Sequence, residues 1–273
     1  MERGIRVMQA LALAGVVWLG AGAPGHAQAP ADPYQLDTLG FRLGMTPDEI
    51  KAVAAQAMPN PIFTPDQGTL SMGRFTSEQM VFGVKVSNDP RFATSPLNSM
   101  DFDQDAIGFV LDIKAPYKTF SITRVHRFSL EKAPSIDVTR QSLTEKYGTP
   151  TKIKLGYDLH KELFWVFKSS FNAEDPKNTP RNGECSRAEA LYSAFTMIQS
   201  VTQTMGMSCG VWIHAEWDSF QADQDKVQTL TIKINDFRRE YEVWQSASSI
   251  LKQGATSADA KDKERAAGNK PKL

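Results

Sequence analysis

The chain has 273 residues, and its 31 Lys and Arg balance its 31 Asp and Glu, so its formal net charge is zero. Hydrophobic residues make up 41% and charged residues 23%, which is ordinary for a globular protein. The balanced charge gives no electrostatic reason to expect a nucleic-acid partner or an anionic membrane surface. The length allows one or two domains.

The first 27 residues have the three-part pattern of a secretory signal peptide. Two arginines precede an apolar run over 10–19, and small residues follow that run. The run is shorter than the roughly 20 residues that a spanning helix needs. We predict cleavage after Ala27, because a cut after Ala29 would leave Pro30 as the next residue. The sequence therefore predicts a periplasmic or secreted protein with no transmembrane segment after cleavage, and an uncleaved membrane anchor is the alternative.

The chain has two cysteines, Cys185 and Cys209. In an oxidising compartment they predict one structural disulfide, which would close a loop of about 25 residues and contribute roughly 3–4 kcal/mol in the chain-entropy model. The alternative is a redox-active or metal-binding thiol pair. Redox pairs usually have C-x-x-C spacing, however, and metal sites need further ligands.

The first half of the mature chain predicts a helix followed by strands. Region 28–39 is a linker. Thr46, Pro47 and Glu49 then form a capping box with proline at the first helical position, and apolar residues recur at helical spacing as far as Met58. Runs bounded by Gly, Pro, Asn and Asp predict antiparallel strands near 70–75, 80–86, 107–113 and 120–128.

The second half repeats this order. A helix is predicted from Ser135 or Asp137 to Tyr147, with Gly148 as its C-terminal cap. A capping box at Ser186 opens a further helix, for which a strand is the alternative. The tail over 253–273 lacks apolar residues and is predicted to be disordered. The remaining patterns predict strands at 163–168, 210–217 and 227–234 and a closing helix over 238–252.

This order of elements predicts an α+β fold of antiparallel sheets, each covered by helix on one face. It also suggests two similar units, which we place at 40–132 and 133–252. We find no convincing residue-level repeat between the two halves, so the duplication is predicted from topology.

Two short motifs carry a resemblance to known families. The run Leu43–Glu49 opens a helix ahead of strands and resembles the start of exported proteins with the β-lactamase-inhibitor-protein-like fold. It is similar as well to the opening of the outer-membrane-assembly small lipoproteins. The run Lys146–Pro150, which closes a helix before a strand, resembles the same groups. The resemblance implies small modules that bind other proteins or envelope components and carry no catalytic residues.

The chain departs from both groups. It has no cysteine near the predicted cleavage site, which the lipoproteins need for lipid attachment. It differs from the inhibitors in its one cysteine pair and its long tail.

Four aspartates follow the spacing of a calcium loop, with carboxylates at positions one, three, five and twelve. Ala106 stands where such a loop needs glycine, and no helix precedes the segment. A solvated turn that enters a strand explains the same residues. The candidate ligands are Asp101, Asp103, Asp105 and Asp112.

Trp212, His214 and Glu216 share one face of a predicted strand. The histidine and the glutamate could serve as a general base and its orienting group, or as a cross-strand polar pair on a wet sheet face. Arg124 and His126 share a face of another predicted strand and could complete a polar groove with this set. The sequence has no nucleophile-elbow motif, P-loop or dinucleotide fingerprint, so no cofactor is expected.

These patterns favour an exported, non-enzymatic protein that binds another protein or an envelope component. The predicted binding face is an exposed sheet face that carries Trp212, His214 and Glu216. The alternatives are an exported hydrolase with a site between the sheets and a calcium-stabilised module. Four tryptophans could add a sugar- or peptide-binding platform, although tryptophan in strands is more often core; they are Trp165, Trp212, Trp217 and Trp244.

Overall fold

The structure is a computed structural model that describes residues 32–72, 75–89, 103–155, 160–167 and 210–268. The predicted signal peptide, Asp101, the segment over 186–205 and both Cys185 and Cys209 lie outside these residues. The predictions made for them, including the disulfide, remain predictions.

The first half contains a short 3-10 helix, one α-helix and eight strands among the residues described. After the 3-10 helix at Pro33–Gln35 these elements are β1 (Asp37–Thr38), β2 (Phe41–Arg42), α1 (Pro47–Ala57), β3 (Ile62–Gly68), β4 (Ser71–Met72), β5 (Phe75–Thr76), β6 (Met80–Ser87), β7 (Gln104–Leu111) and β8 (Thr119–Arg127).

The second half begins with another helix and ends with a long one. Its described elements are α2 (Ile136–Tyr147), β9 (Lys152–Leu155), β10 (His160–Val166), β11 (Val211–Ser219), β12 (Val227–Asp236) and α3 (Phe237–Gly268).

Eight strands form one antiparallel sheet in the order β3-β6-β7-β8-β12-β11-β10-β9. The α+β class is therefore confirmed. The expectation of separate sheets is corrected, because β8 pairs with β12 from Arg127–Thr229 to Ser121–Asn235 and joins the two sets of strands. On each side of this seam the chain runs through one helix and a four-stranded antiparallel series, so the order of elements recurs.

The caps that were predicted for the first two helices are confirmed. Glu49 Oε2 accepts a hydrogen bond from the Thr46 N–H at 2.8 Å, while the Thr46 hydroxyl accepts one from the Glu49 N–H at 3.4 Å. Ser135 caps the start of α2. Gly148 ends α2 with φ at 84°. Glycine adopts this conformation without strain because glycine has no Cβ.

One face of the sheet, the helix face, packs against α1 and α2. Ile50 and Ala54 of α1 and Leu143 and Tyr147 of α2 are buried in the same apolar core as the sheet. Trp165 and Trp217 belong to this core, so the core interpretation of these two tryptophans is confirmed. The sheet contributes, among others, Val86, Ile107, Phe109, Ile122, Leu163, Ile213, Ala215, Ile232 and Ile234.

The other face, which we call the opposite face, is covered at one end by α3. Val243 of α3 packs with Ile113 and Phe120 in a second apolar cluster. Farther along α3, the ring of Phe75 lies so close to Gly254 that a Cβ there would clash with it.

The tail prediction is corrected by this helix. The sequence predicts that the closing helix ends at 252 and that disorder follows, whereas α3 continues to Gly268. Its C-terminal part is rich in Ala and also contains Lys, Glu and Arg, all of which are good helix formers. Contact between Gly254 and Phe75 of the β4–β5 hairpin then ties the extension to the rest of the fold.

Two glycines on the opposite face allow a matched test of the strand packing. A Cβ at Gly83 would clash with the carbonyl oxygen of Phe109, whereas one at Gly108 would meet, among the residues that the structure describes, only the Thr123 carbonyl oxygen, at 3.9 Å. We expect Gly83→Ala to lower the free energy of unfolding by about 2 kcal/mol, because overpacking displaces the backbone. Gly108→Ala should leave it unchanged or raise it by about 0.5 kcal/mol. Guanidinium unfolding of both variants measures this, and equal losses would contradict the assigned packing.

Candidate functional site

The strand register brings the predicted His214–Glu216 pair together with two residues that were not predicted. His214 of β11 lies opposite Phe164 of β10 and Lys233 of β12. Glu216 lies opposite Glu162 of β10. All of these side chains are on the opposite face, because side chains in register across a sheet point to the same side.

One imidazole lies between two carboxylates in this arrangement. His214 Nε2 is 3.3 Å from Glu162 Oε2 and 3.9 Å from Glu216 Oε2. Lys233 Nζ is 2.9 Å from Glu216 Oε1 and so closes the network. We call these four residues the His214 cluster. The contact between His214 Nε2 and Glu162 lacks the alignment of a good hydrogen bond.

Stacked rings hold the imidazole in place. The His214 ring lies 4.4 Å from the Phe164 ring at an interplanar angle of 6°, and 5.5 Å from the Trp212 ring at 22°. Phe237, the first residue of α3, packs on Trp212 at 5.7 Å. The expectation that Trp212 and His214 lie on an exposed face is therefore corrected: they are only 5% and 8% exposed.

Burial also sets the protonation state of the cluster. Desolvation lowers the pKa of His214, and the carboxylates of Glu216 and Glu162 only partly oppose this effect. Because the resulting pKa lies below the usual histidine range, the imidazole is neutral at neutral pH. A neutral imidazole can accept a proton, but the two contacts of Nε2 named above are with carboxylates rather than with a nucleophile.

Arg124 and His126 form a separate charged cluster on the helix face. Arg124 Nε donates to Asp105 Oδ1 at 3.0 Å, and His126 Nδ1 lies 3.1 Å from Asp105 Oδ2. Thr123, the neighbour of Arg124, is in register with Lys233 of the His214 cluster. Because successive side chains on a strand point to opposite faces, Arg124 and His126 lie on the other side of the sheet. The predicted polar groove between the two sets is therefore wrong.

The aspartates of the predicted calcium loop point to different partners. Asp103 accepts from the Ser129 N–H at 2.8 Å, Asp105 holds Arg124, and Asp112 pairs with Arg239 of α3. The segment between Asp103 and Asp112 is strand β7 and its end, which extends the chain rather than folding it around an ion. The described residues contain no group of three or more His, Cys, Asp or Glu that could hold a metal ion.

The Asp105 carboxylate is engaged by Arg124 and His126. Burial alone would raise its pKa, but the hydrogen bonds and charges of His126 and Arg124 outweigh that effect, and its pKa lies below the ordinary aspartate value. An ionised aspartate whose two oxygens both accept hydrogen bonds from one arginine is typical of a structural ion pair.

Of the two residues that the sequence interpretation missed, Glu162 and Lys233, the first had a detectable signal. The strand around Trp165 was predicted to begin at 163, one residue after Glu162, but it begins at His160. Had the strand been extended, the alternation of Glu162 with Phe164 would have placed both on one face. Only the pairing of β10 with β11 shows that this face is shared with His214.

Comparison of the chain with protein-family models, with curated proteins and with solved structures gives no match. The family resemblance of the two short motifs therefore remains a prediction. In the described part of the chain, no helix combines the length and apolar composition needed to cross a bilayer.

The lowered pKa of His214 predicts a pH dependence of stability. As the pH falls from about 7 towards 5, the unfolded chain binds a proton at His214 more readily than the folded chain does, because its pKa is about 6.5 and the folded pKa is lower. The contribution of His214 to stability should therefore fall as the pH falls through this window. In His214→Gln that component disappears, so the free energy of unfolding should depend less steeply on pH.

Urea unfolding of both proteins at several pH values from 5 to 7.5 measures the difference. Buried Glu240, whose pKa is raised by desolvation, acts near the lower end of this range with the opposite sign. Glu240 is present in both proteins, so its contribution cancels when one pH profile is subtracted from the other. Parallel pH profiles would contradict the burial of a neutral His214.

Proposed function

We propose that the chain is an exported binding protein without catalytic activity, which docks another protein through the part of the opposite face that lies beside the His214 cluster and beyond α3. We call this surface the sheet strip. Its residues come from five adjacent strands and are exposed or half-buried: Thr64, Lys85, Ser87, Ala106, Gly108, Thr123, Val125 and Thr231.

The register supports a flat docking surface. One row of the strip runs Thr64, Lys85, Gly108 and Thr123 across β3, β6, β7 and β8. Neighbouring strands lie about 4.8 Å apart, so this row spans roughly 15 Å. Its side chains are short apart from Lys85, which leaves the backbone close to an approaching surface.

Gly108 is the observation that carries the proposal. It lies in the middle of the strip, on β7, and among the described residues a Cβ there would meet only one atom, the Thr123 carbonyl oxygen at 3.9 Å. The adjacent row adds the small apolar side chains of Ala106 and Val125. A small apolar centre with a polar border is the usual composition of a protein interface.

Export is the second part of the proposal and is supported by the leader pattern of the first 27 residues. The motif resemblance supports the binding role in the same way. Both are sequence arguments, and they agree with a sheet face that the described helices do not cover along its whole length.

The hydrolase alternative is favoured by one observation, the second carboxylate beside His214. Glu162 approaches His214 Nε2 at 3.3 Å and could orient the imidazole as Glu216 was expected to do. Lys233, however, neutralises Glu216, and the imidazole is only 8% exposed between stacked rings. The same contacts tie β10, β11 and β12 together, so we favour a structural role for the cluster.

Site-specific photo-crosslinking tests the docking surface. A benzoylphenylalanine probe replaces Thr123 on the strip or, as the control, exposed Gln141 on α2. In an envelope extract the Thr123 probe should give a discrete protein adduct that the Gln141 probe does not give.

An occluding side chain makes the test specific. Gly108→Arg should reduce the Thr123 adduct at least tenfold, because the new side chain stands where the partner would approach, while the melting temperature stays near that of the parent. Gln141→Arg adds the same charge on α2 and should leave the adduct unchanged. Adducts that are identical at both probe positions, or that survive Gly108→Arg, would contradict docking through the strip.

A further inference from the structure

An apolar groove of about 560 Å³ opens at the end of the sheet farthest from the His214 cluster. It lies between the first turns of α1, the β3–β6 edge and the turn over 114–118. The volume is within the range of roughly 300–1,000 Å³ that is typical of small-molecule sites. Its floor and rim include Phe63, Val81, Val84, Leu111, Ile113 and Tyr117.

The floor of the groove is buried and its rim is exposed to solvent. Leu111 and Ile113 are 1% and 7% exposed, whereas Val81 and Tyr117 at the rim are 37% and 44% exposed. Large apolar side chains exposed around a concave apolar floor are typical of a ligand-binding groove.

The charged side chain that lines the groove is Lys51 of α1. Its Nζ is 3.6 Å from Asp48, and both side chains are largely exposed, at 60% and 95%. Such a surface ion pair contributes little to stability, so Lys51 can leave Asp48 and pair with an anionic ligand group at a small cost in free energy. Exposed Lys114 and Lys118 flank Tyr117 at the rim. Glu49, the other acid in the first turn of α1, is engaged in the capping box.

The edge of the sheet disfavours an extended peptide as the occupant. Pro65 lines the groove on edge strand β3 and has no N–H to donate. A bulge between Asp66 and Gln67 interrupts the ladder at the next residue. An added strand needs a regular hydrogen-bonding edge, which β3 does not offer here. The occupant must therefore bind through apolar contact and charge.

We infer that the groove binds a single-chain amphiphile with a carboxylate head group, that is, a fatty acid. The acyl chain lies on the apolar floor, and the carboxylate pairs with Lys51. This site is distinct from the sheet strip: Phe63 and Val84 point to the helix face, in register with buried Val86 and Phe109. The inference does not depend on the proposed protein partner.

Calorimetric titration of the delipidated full chain tests the ligand class. Decanoate, dodecanoate and tetradecanoate, each below its micelle concentration, should bind at one site. Affinity should rise roughly tenfold for each added pair of methylenes until the groove is full. Absence of saturable binding, or affinity that is independent of chain length, would overturn the inference.

Variants place the ligand in the groove. Val81→Asp should weaken dodecanoate binding at least tenfold, because it puts a carboxylate on the apolar rim. Val138→Asp makes the same change at a valine that is 54% exposed on α2 and should have no effect. Tyr117→Gly removes part of the wall at a residue with φ of 57°, where glycine is unstrained, and should weaken binding without loss of stability. Equal affinities of the Val81 and Val138 variants, or full affinity in Tyr117→Gly, would overturn the assignment.

The head group is tested with Lys51→Gln and uncharged dodecanol. The substitution should weaken dodecanoate binding several-fold and leave dodecanol binding unchanged. If both ligands lose affinity equally, or neither does, the carboxylate does not pair with Lys51 and the head-group assignment is overturned.

Discussion

The pairing of β8 with β12 is the constraint on which the rest of the structure depends. It joins the four-stranded series of each half into one sheet, and it places Ile122 opposite Ile234, both fully buried. A slip of β12 by one residue against β8 would send Ile234 to the opposite face and bring Lys233 into the core. The register is fixed because exposing an isoleucine and burying a lysine would cost free energy.

The separation of the two charged clusters follows from this register and from the period of two along a strand. This register separates the Asp105–Arg124–His126 cluster, which lies on the helix face, from the His214 cluster on the opposite face. The β8–β12 pairing also places Thr231 beside Val125 on the sheet strip, next to the Gly108–Thr123 pair of β7 and β8. The two halves thus contribute to one continuous surface, which neither half could form alone.

Local signals in the sequence were sufficient for the elements with strong caps or strong alternation. Thr46 with Glu49 predicted α1, Gly148 predicted the end of α2, and the alternation from Ile107 predicted β7. Strand β3 was missed because Pro65 and Gly68 argue against a strand, although an edge strand tolerates proline. The helix after 252 was missed because low hydrophobicity was taken as disorder, whereas its Ala, Lys and Glu residues favour a helix that Phe75 then anchors.

The site was predictable only in part, because the missing information is long-range. The sequence placed His214 and Glu216 on one face of a strand. Which face it is, and which residues of β10 and β12 share it, depends on pairing between strands far apart in the chain. Burial of Trp212 likewise depends on Phe237 of α3. No local pattern contains this information, and the comparisons with known proteins did not supply it.

Native-state hydrogen exchange measures the central pairing directly. If β8 and β12 form the middle of one sheet, the amides that bond across the seam, in the segments 121–127 and 229–235, will be among the slowest to exchange. They will open only with global unfolding, together with those of β7 and β11. Exchange of the β8 and β12 amides orders of magnitude faster than those of β7 and β11 would show two sheets with free edges, and would contradict the single sheet.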